Sequence, residues 1–238
     1  YQQSIDIWRK IGDKTQLAET LIGLSYIRMV TDDPLAGLAN SEEAAKIYGE
    51  LGDTRGTAIA HISKGHLLSV LGRKQEALSS YLAAKERFPD GLDQMDLARL
   101  LNGLGFIYED LGEWKLSLEN RRDALKIFEK EDYLLGVVST LPSLIKLSNL
   151  IGEEDAASDY LNKIERLSRK LGDKFWFAIA LEQVGHHYFN IGKDTTAMTY
   201  YRRCLPILRA SKLHVEVSVI YDKLGTLYAR QGDLKLAR

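Results

Sequence analysis

The chain has one cysteine, Cys204, in 238 residues. That excludes an internal disulfide framework and a cysteine-built zinc site. Four prolines are too few for a loop-rich or all-β chain. Neither sign of charge is in excess, with 32 Lys+Arg against 33 Asp+Glu. Nothing electrostatic therefore favours nucleic acid or an anionic membrane as a direct partner. No apolar run approaches the ~20 residues of a membrane span. No signal-peptide pattern opens the chain and no Asn-x-Ser/Thr sequon occurs in it, and a cytoplasmic location is the expectation. The sequence starts at Tyr1 rather than Met and stops within an apparent motif, as expected of a piece of a longer protein. The composition that remains, 45% hydrophobic and 27% charged, is ordinary for a globular domain.

What the sequence does have is an internal ruler. The segments GHLLSVLG at 65–72, GFIYEDLG at 105–112, GHHYFNIG at 185–192 and GTLYARQG at 225–232 repeat at 40 residues or a multiple of 40. The same register reads IKLSNLIG at 145–152, with Ile145 in place of glycine, and SYIRMVTD at 25–32, with Ser25 and Asp32 at the small-residue positions. Joins follow the same spacing: IGD at 11–13, LGD at 51–53 and LGD at 171–173. So does the apolar series Trp8, Tyr48, Phe88, Phe128 and Leu208. Such a period is the mark of stacked supersecondary units.

Each unit is helical. Leu97, Leu100, Leu101, Leu104, Ile107, Tyr108 and Leu111 recur in steps of three and four, as one face of a helix requires. A glycine turn follows, and Trp114, Leu118, Leu125 and Phe128 carry a second helix. Gly112–Glu113 and Pro89–Asp90–Gly91 are the turns between them. Asp13, Asp53 and Asp173 stand where a carboxylate caps free N–H groups. Helices of ~17 residues are ~25 Å long. A lone pair cannot bury its face, so the pairs must stack.

These residues resemble the tetratricopeptide repeat in a 40-residue form. The pattern W-x2-L-G-x2-Y appears as Leu104, Gly105, Tyr108, then Val184, Gly185, Tyr188, and Leu224, Gly225, Tyr228. Ala77, Ala157 and Ala197, Tyr81 and Tyr201, and Ala44, Ala84 and Ala124 fill the second-helix positions, and Pro89 is the one closing proline. The resemblance implies an all-α, right-handed superhelical solenoid of antiparallel helix pairs. Its bounds are a partial unit 1–12, repeats 13–52, 53–92, 93–132, 133–172 and 173–212, and a partial repeat 213–238. Gly65, Gly105, Gly185 and Gly225 are expected to let paired helices approach, with alanines facing them. Ile145, Ile164 and Pro142 break the pattern and predict local irregularity around 133–172, and Pro206 interrupts the second helix of the next repeat in the same way. Two groups are similar: bacterial arrays beside DNA-binding or CHAT-type protease domains, and eukaryotic polarity scaffolds and kinesin light chains. The scaffolds' N-L-G-N asparagine ladder is absent here, which favours the bacterial group.

Chemistry has few candidates. Gly103-Leu-Gly105 lacks the third glycine and the preceding strand of a dinucleotide loop, and Gly12-Asp-Lys14 lacks a phosphate-loop frame. Cys204 occupies a core column held elsewhere by alanine. His186 and His187 project ~100° apart, Glu182 with His186 makes only two ligands, and His61 and His66 lie on different faces. The basic pairs Arg121–Arg122 and Arg202–Arg203 read as solvated faces. No metal, cofactor or catalytic residue is expected, and the chain is not expected to be an enzyme.

The resemblance instead implies a concave groove lined by first helices at columns 22, 26 and 29 plus multiples of 40. Its candidates are Tyr26, Met29, His66, Asn102, Phe106, Glu109, Lys146, Asn149, Glu182, His186, Phe189 and Asp222. Tyr26, Phe106 and Phe189 are aromatic anchors, or pack on adjacent units. Lys146 and His186 suit an acidic group, and Glu109, Glu182 and Asp222 a basic one. The implied function is a non-enzymatic interaction module for a peptide or partner domain. The alternative is a sensing array governing an attached effector. Leu234, Leu236 and Ala237 begin another apolar helix, so end-to-end self-association is also an expectation.

Overall fold

The computed structural model describes residues 2–31, 33–87, 93–172, 174–233 and 236. Among these, every regular element is an α-helix. α1 (Gln2–Ile11) precedes five pairs: α2 (Lys14–Val30) with α3 (Pro34–Leu51), α4 (Thr54–Val70) with α5 (Lys74–Arg87), α6 (Gln94–Asp110) with α7 (Trp114–Lys130), α8 (Leu134–Ile151) with α9 (Glu154–Leu171), and α10 (Phe175–Asn190) with α11 (Asp194–Ala210). α12 (His214–Arg230) follows. The expected all-α architecture of helix pairs is what forms. The chain divides into two compact units, residues 1–131 and 132–238.

The period has a backbone cause. Among the described residues, a residue of positive φ follows ten of the helices, at 20-residue intervals or a multiple of them, including Gly52 at +68° and Gly72 at +71°. Such left-handed residues turn the chain and let the next N–H reach back, as Asp53 N–H does to the Tyr48 carbonyl at 2.9 Å. At two of these positions the residue is not glycine: Asp132 holds φ 51° and Lys212 φ 57°.

The first helices of residues 1–131 start on aspartate. Asp13 accepts from Gln16 N–H at 3.0 Å, Asp53 from Gly56 N–H at 2.8 Å, and Asp93 from Met95 N–H at 2.9 Å. In residues 132–238 the helices α8 and α12 start at Tyr133 and Leu213, with no side-chain cap. Asp173, Phe88, Pro89, Asp90, Gly91, Asp32, Leu234 and Ala237 lie outside the described residues.

Close approach within a pair is real, but alanine is not what faces the glycines. A Cβ on Gly65 would stand 2.7 Å from the Tyr81 ring, one on Gly185 2.6 Å from the Tyr201 ring, and one on Gly105 2.5 Å from Arg121 Cγ. The second helix sends a large side chain across each notch, and the missing side chain leaves room for it. Tyr81 also touches the next repeat, where a Cβ on Gly103 would meet it at 2.7 Å. Where the notch residue is Ser25, the facing residue is Ser41, and both hydroxyls meet Ser63, at 2.7 and 3.0 Å. Ala77, Ala84 and Ala124 pack in the core instead.

Pro142 and Pro206 sit inside α8 and α11, which continue through them. α8 corrects one reading of the sequence. Its 18 residues, of mean hydropathy 1.5, are long and apolar enough to cross a membrane by length and composition alone. Leu141, Leu144, Ile145 and Leu147 are buried, and α8 packs on α9 and α10. A helix buried on most sides needs apolar residues all round, which accounts for its composition.

Candidate functional site

The twelve candidate groove residues divide between the two units. Tyr26 and Met29 on α2, His66 on α4, and Asn102, Phe106 and Glu109 on α6 lie in residues 1–131, on consecutive first helices in mutual contact. There they border two cavities. One, of about 510 Å³, is lined by Ile22, Ile59 and Ile62, by Tyr26 and His66, and by Arg55, Asp96 and Arg99. The other, of about 300 Å³, is mainly apolar, with Met29, Val70, Tyr81 and Phe106 among its walls. His66 lines both.

His66 is held between aromatic rings. Tyr26 lies 6.3 Å away between centroids and Tyr81 packs edge-on at 5.5 Å. Its Nδ1 is buried without a hydrogen-bond partner. Burial first, and the Arg99 charge second, push its pKa down to about 4, so the imidazole is neutral at pH 7. Burial also raises the Tyr26 phenol, with Arg99 opposing and Asp96 adding.

Arg55, Asp96 and Arg99 form the polar wall. Asp96 is 5% exposed. It receives Arg55 Nη2 and Nε at 2.9 and 3.2 Å and Arg99 Nη1 at 3.2 Å. Arg55 also reaches Asp93 at 2.9 Å. Both arginines remain about half exposed, at 55% and 53%. Columns 22, 26 and 29 missed them, although the signal was present. Arg55, Ile59 and Arg99 continue the same stripe one and two turns earlier, at the three- and four-residue steps of a helix face.

Arg121 is another correction. The sequence suggests a solvated pair with Arg122, yet Arg121 is 5% exposed. Its stem crosses α6 through the Gly105 notch to Glu109 at 3.0 Å and Asn102 Oδ1 at 3.2 Å. Two expected groove residues are thereby engaged from behind. Phe106 is 47% exposed beside them.

Residues 132–238 carry the other six candidates, on α8 (Lys146, Asn149), α10 (Glu182, His186, Phe189) and α12 (Asp222). Here the aromatic faces are occupied by the chain itself. Lys223 and Arg230 of α12 stand over Phe189, at 4.9 and 4.7 Å from its centroid. Tyr188 stacks on Tyr200 at 5.6 Å and donates to Asn149 Oδ1 at 3.2 Å. Burial lowers His186, with Lys223 adding, and raises the Glu182 carboxyl, with Glu216 adding. Asp222 is exposed. Cys204 is fully buried, donates to the Tyr201 carbonyl at 3.3 Å, and has its pKa raised to about 12 by burial, so it stays a thiol at neutral pH.

No protein-family model and no curated protein matches the sequence. Solved structures do match. The apo form of RapI superposes with TM-score 0.73 at 19% identity, over 97% of this chain and 63% of RapI, so the chain spans less than two thirds of that protein. A kinesin light chain protein of Podosopora anserina with nearly identical TPR-like repeats gives 0.67 at 12% identity, covering 82% of this chain and 95% of that one. YrrB, described as a TPR protein with an unusual peptide-binding site, gives 0.54 at 17%, covering 83% and 90%. The paired helices on a 40-residue motif are thus the TPR-like fold that these structures share.

Proposed function

We propose that the chain is a non-enzymatic interaction module that holds a peptide, or an extended segment of a partner protein, on the first-helix face of residues 1–131. One observation carries this reading: the two cavities on that face, both lined by His66, between them offer aromatic, aliphatic and charged walls. That mixture is typical of sites that bind by an apolar anchor and orient by a few polar groups. The fold likeness to YrrB supports the same reading. A second reading, a sensing array attached to an effector domain, is favoured by the likeness to RapI, whose length extends well beyond the match.

The test is selection of a random 12-residue peptide library on the full chain. Enriched peptides should bind wild type and lose roughly tenfold or more on Tyr26→Ala/Phe106→Ala. They should be indifferent to Phe189→Ala, whose ring is already covered. Enriched peptides that bind the double variant unchanged would refute the assignment to this face.

A further inference from the structure

From the wall around His66, we infer that this face selects acidic peptides: a carboxylate received by Arg55 and Arg99, next to an aliphatic or aromatic side chain seated against Ile22, Ile59, Ile62 and Tyr26. The inference rests on the peptide-binding reading and names its ligand class.

Three observations carry it. First, the wall has cationic donors to spare. Among the described residues, Arg55 Nη1 and the Nε and Nη2 of Arg99 have no partner, because Arg55 commits Nε and Nη2 to Asp96 and Asp93, and Arg99 commits Nη1 to Asp96. A guanidinium offers five N–H groups in a planar fork matched to a carboxylate. Second, the one carboxylate lining the cavity is already satisfied. Asp96 is 5% exposed and holds both arginines, so it orients them rather than competing as a site for cations. Third, a polar atom is left over. His66, which lines this cavity with Tyr26, the isoleucines and the arginine wall, has its Nδ1 buried without a partner. A buried unpaired nitrogen is costly, and pairing it with a ligand amide requires the ring to turn into the cavity.

The three carry one ligand class together. Basic peptides would meet two guanidinium groups with no open carboxylate in the cavity. Purely apolar ones would desolvate both arginines without return.

The experiment is fluorescence anisotropy of the full chain with four fluorescein-labelled hexapeptide libraries. Each has a central Leu and a neighbouring position fixed as Glu, Gln, Lys or Ser, the other positions being randomised. The Glu library should bind at least roughly tenfold tighter than the Gln library, the scale of one charge-assisted pair. That gap should close in Arg99→Gln and be partly restored in Arg99→Lys. Arg99→Gln leaves Asp96 its two bonds from Arg55, and an unchanged thermal melt checks that the variant is folded. Equal or tighter binding of the Lys or Gln library overturns the acidic selectivity and leaves the peptide-binding reading standing. A Glu preference that survives Arg99→Gln overturns the assignment to this wall. If no library binds wild type, both readings fall.

Discussion

Residues 1–131 and residues 132–238 are built on the same 20-residue alternation of helix and turn, yet they use it differently. In the first unit, aspartates at 13, 53 and 93 start the first helices. Buried serines, Tyr81 and Arg121 lock the pairs, as Tyr201 does for α10 and α11 in the second unit, and the first-helix face keeps a neutral histidine and unpaired guanidinium nitrogens. In the second, α8 and α12 start without side-chain caps, Asp132 and Lys212 take backbone angles that suit glycine, and the aromatic rings are covered by the unit's own cations. Repetition of a frame therefore does not repeat a binding surface. What distinguishes the two first-helix faces is whether the aromatic rings and cations on them are engaged with one another, as Phe189 is by Lys223 and Arg230, or left open, as Phe106 and the Arg99 donors are.

The largest expected effect tests the notch at Gly105. Arg121→Ala should cost about 3 kcal/mol in urea unfolding, since it empties a buried site and removes the Arg121–Glu109 ion pair. The same column in the second unit holds half-buried Leu161, and Leu161→Ala should cost only about 1 kcal/mol. Equal losses would mean that the buried ion pair adds nothing beyond packing.

Next comes pH. The unfolded chain protonates His66 near its ordinary 6.5, whereas the folded chain resists until about 4. The unfolded state thus binds more protons in this window. Stability is present above pH 6.5 and falls as pH drops toward 4, by up to about 3 kcal/mol for this group. His186 and His187, also lowered chiefly by burial, act in the same direction. Urea midpoints from pH 7.5 to 4.5 should show a shallower slope in His66→Phe, and identical slopes would remove His66 from the account.

Smaller effects test the helix ends. Asp53→Ala should cost about 1 kcal/mol through loss of its cap. Leu213→Asp should recover a comparable amount in the other unit, as a rise in thermal midpoint. Lys212→Gly should stabilise by only about 0.5 kcal/mol, because relief of the left-handed backbone is offset by greater freedom in the unfolded chain. A destabilised Lys212→Gly would show that the side chain, not the backbone, matters there.

These particular residues also show what sequence could and could not convey. The helices, the caps at Asp13 and Asp53 and the core position of Cys204 follow from spacing alone, because each depends on neighbours a few residues away or on a repeated column. The tenancy of the glycine notches did not. Tyr81, Arg121 and Tyr201 share a column, but only three-dimensional packing shows that they, and not the alanines, cross their partners. Arg121 misled because a long stem can bury itself while its charge suggests solvent. Phe189 looked available because the cations over it belong to the next first helix. Arg55 and Arg99 were legible in principle and lay one or two turns beyond the sampled columns.

The Gly105 notch has a further consequence, for how quickly the chain can fold. Arg121 and Glu109 are 12 residues apart, and even the cavity wall from Arg55 to Asp96 closes over only 41. Contacts so near in sequence demand little loop closure before they begin to stabilise, and chains dominated by them cross their folding barrier fast for their length. The side chain that locks a helix pair is thus able to form its contact while the rest of the array is still unmade.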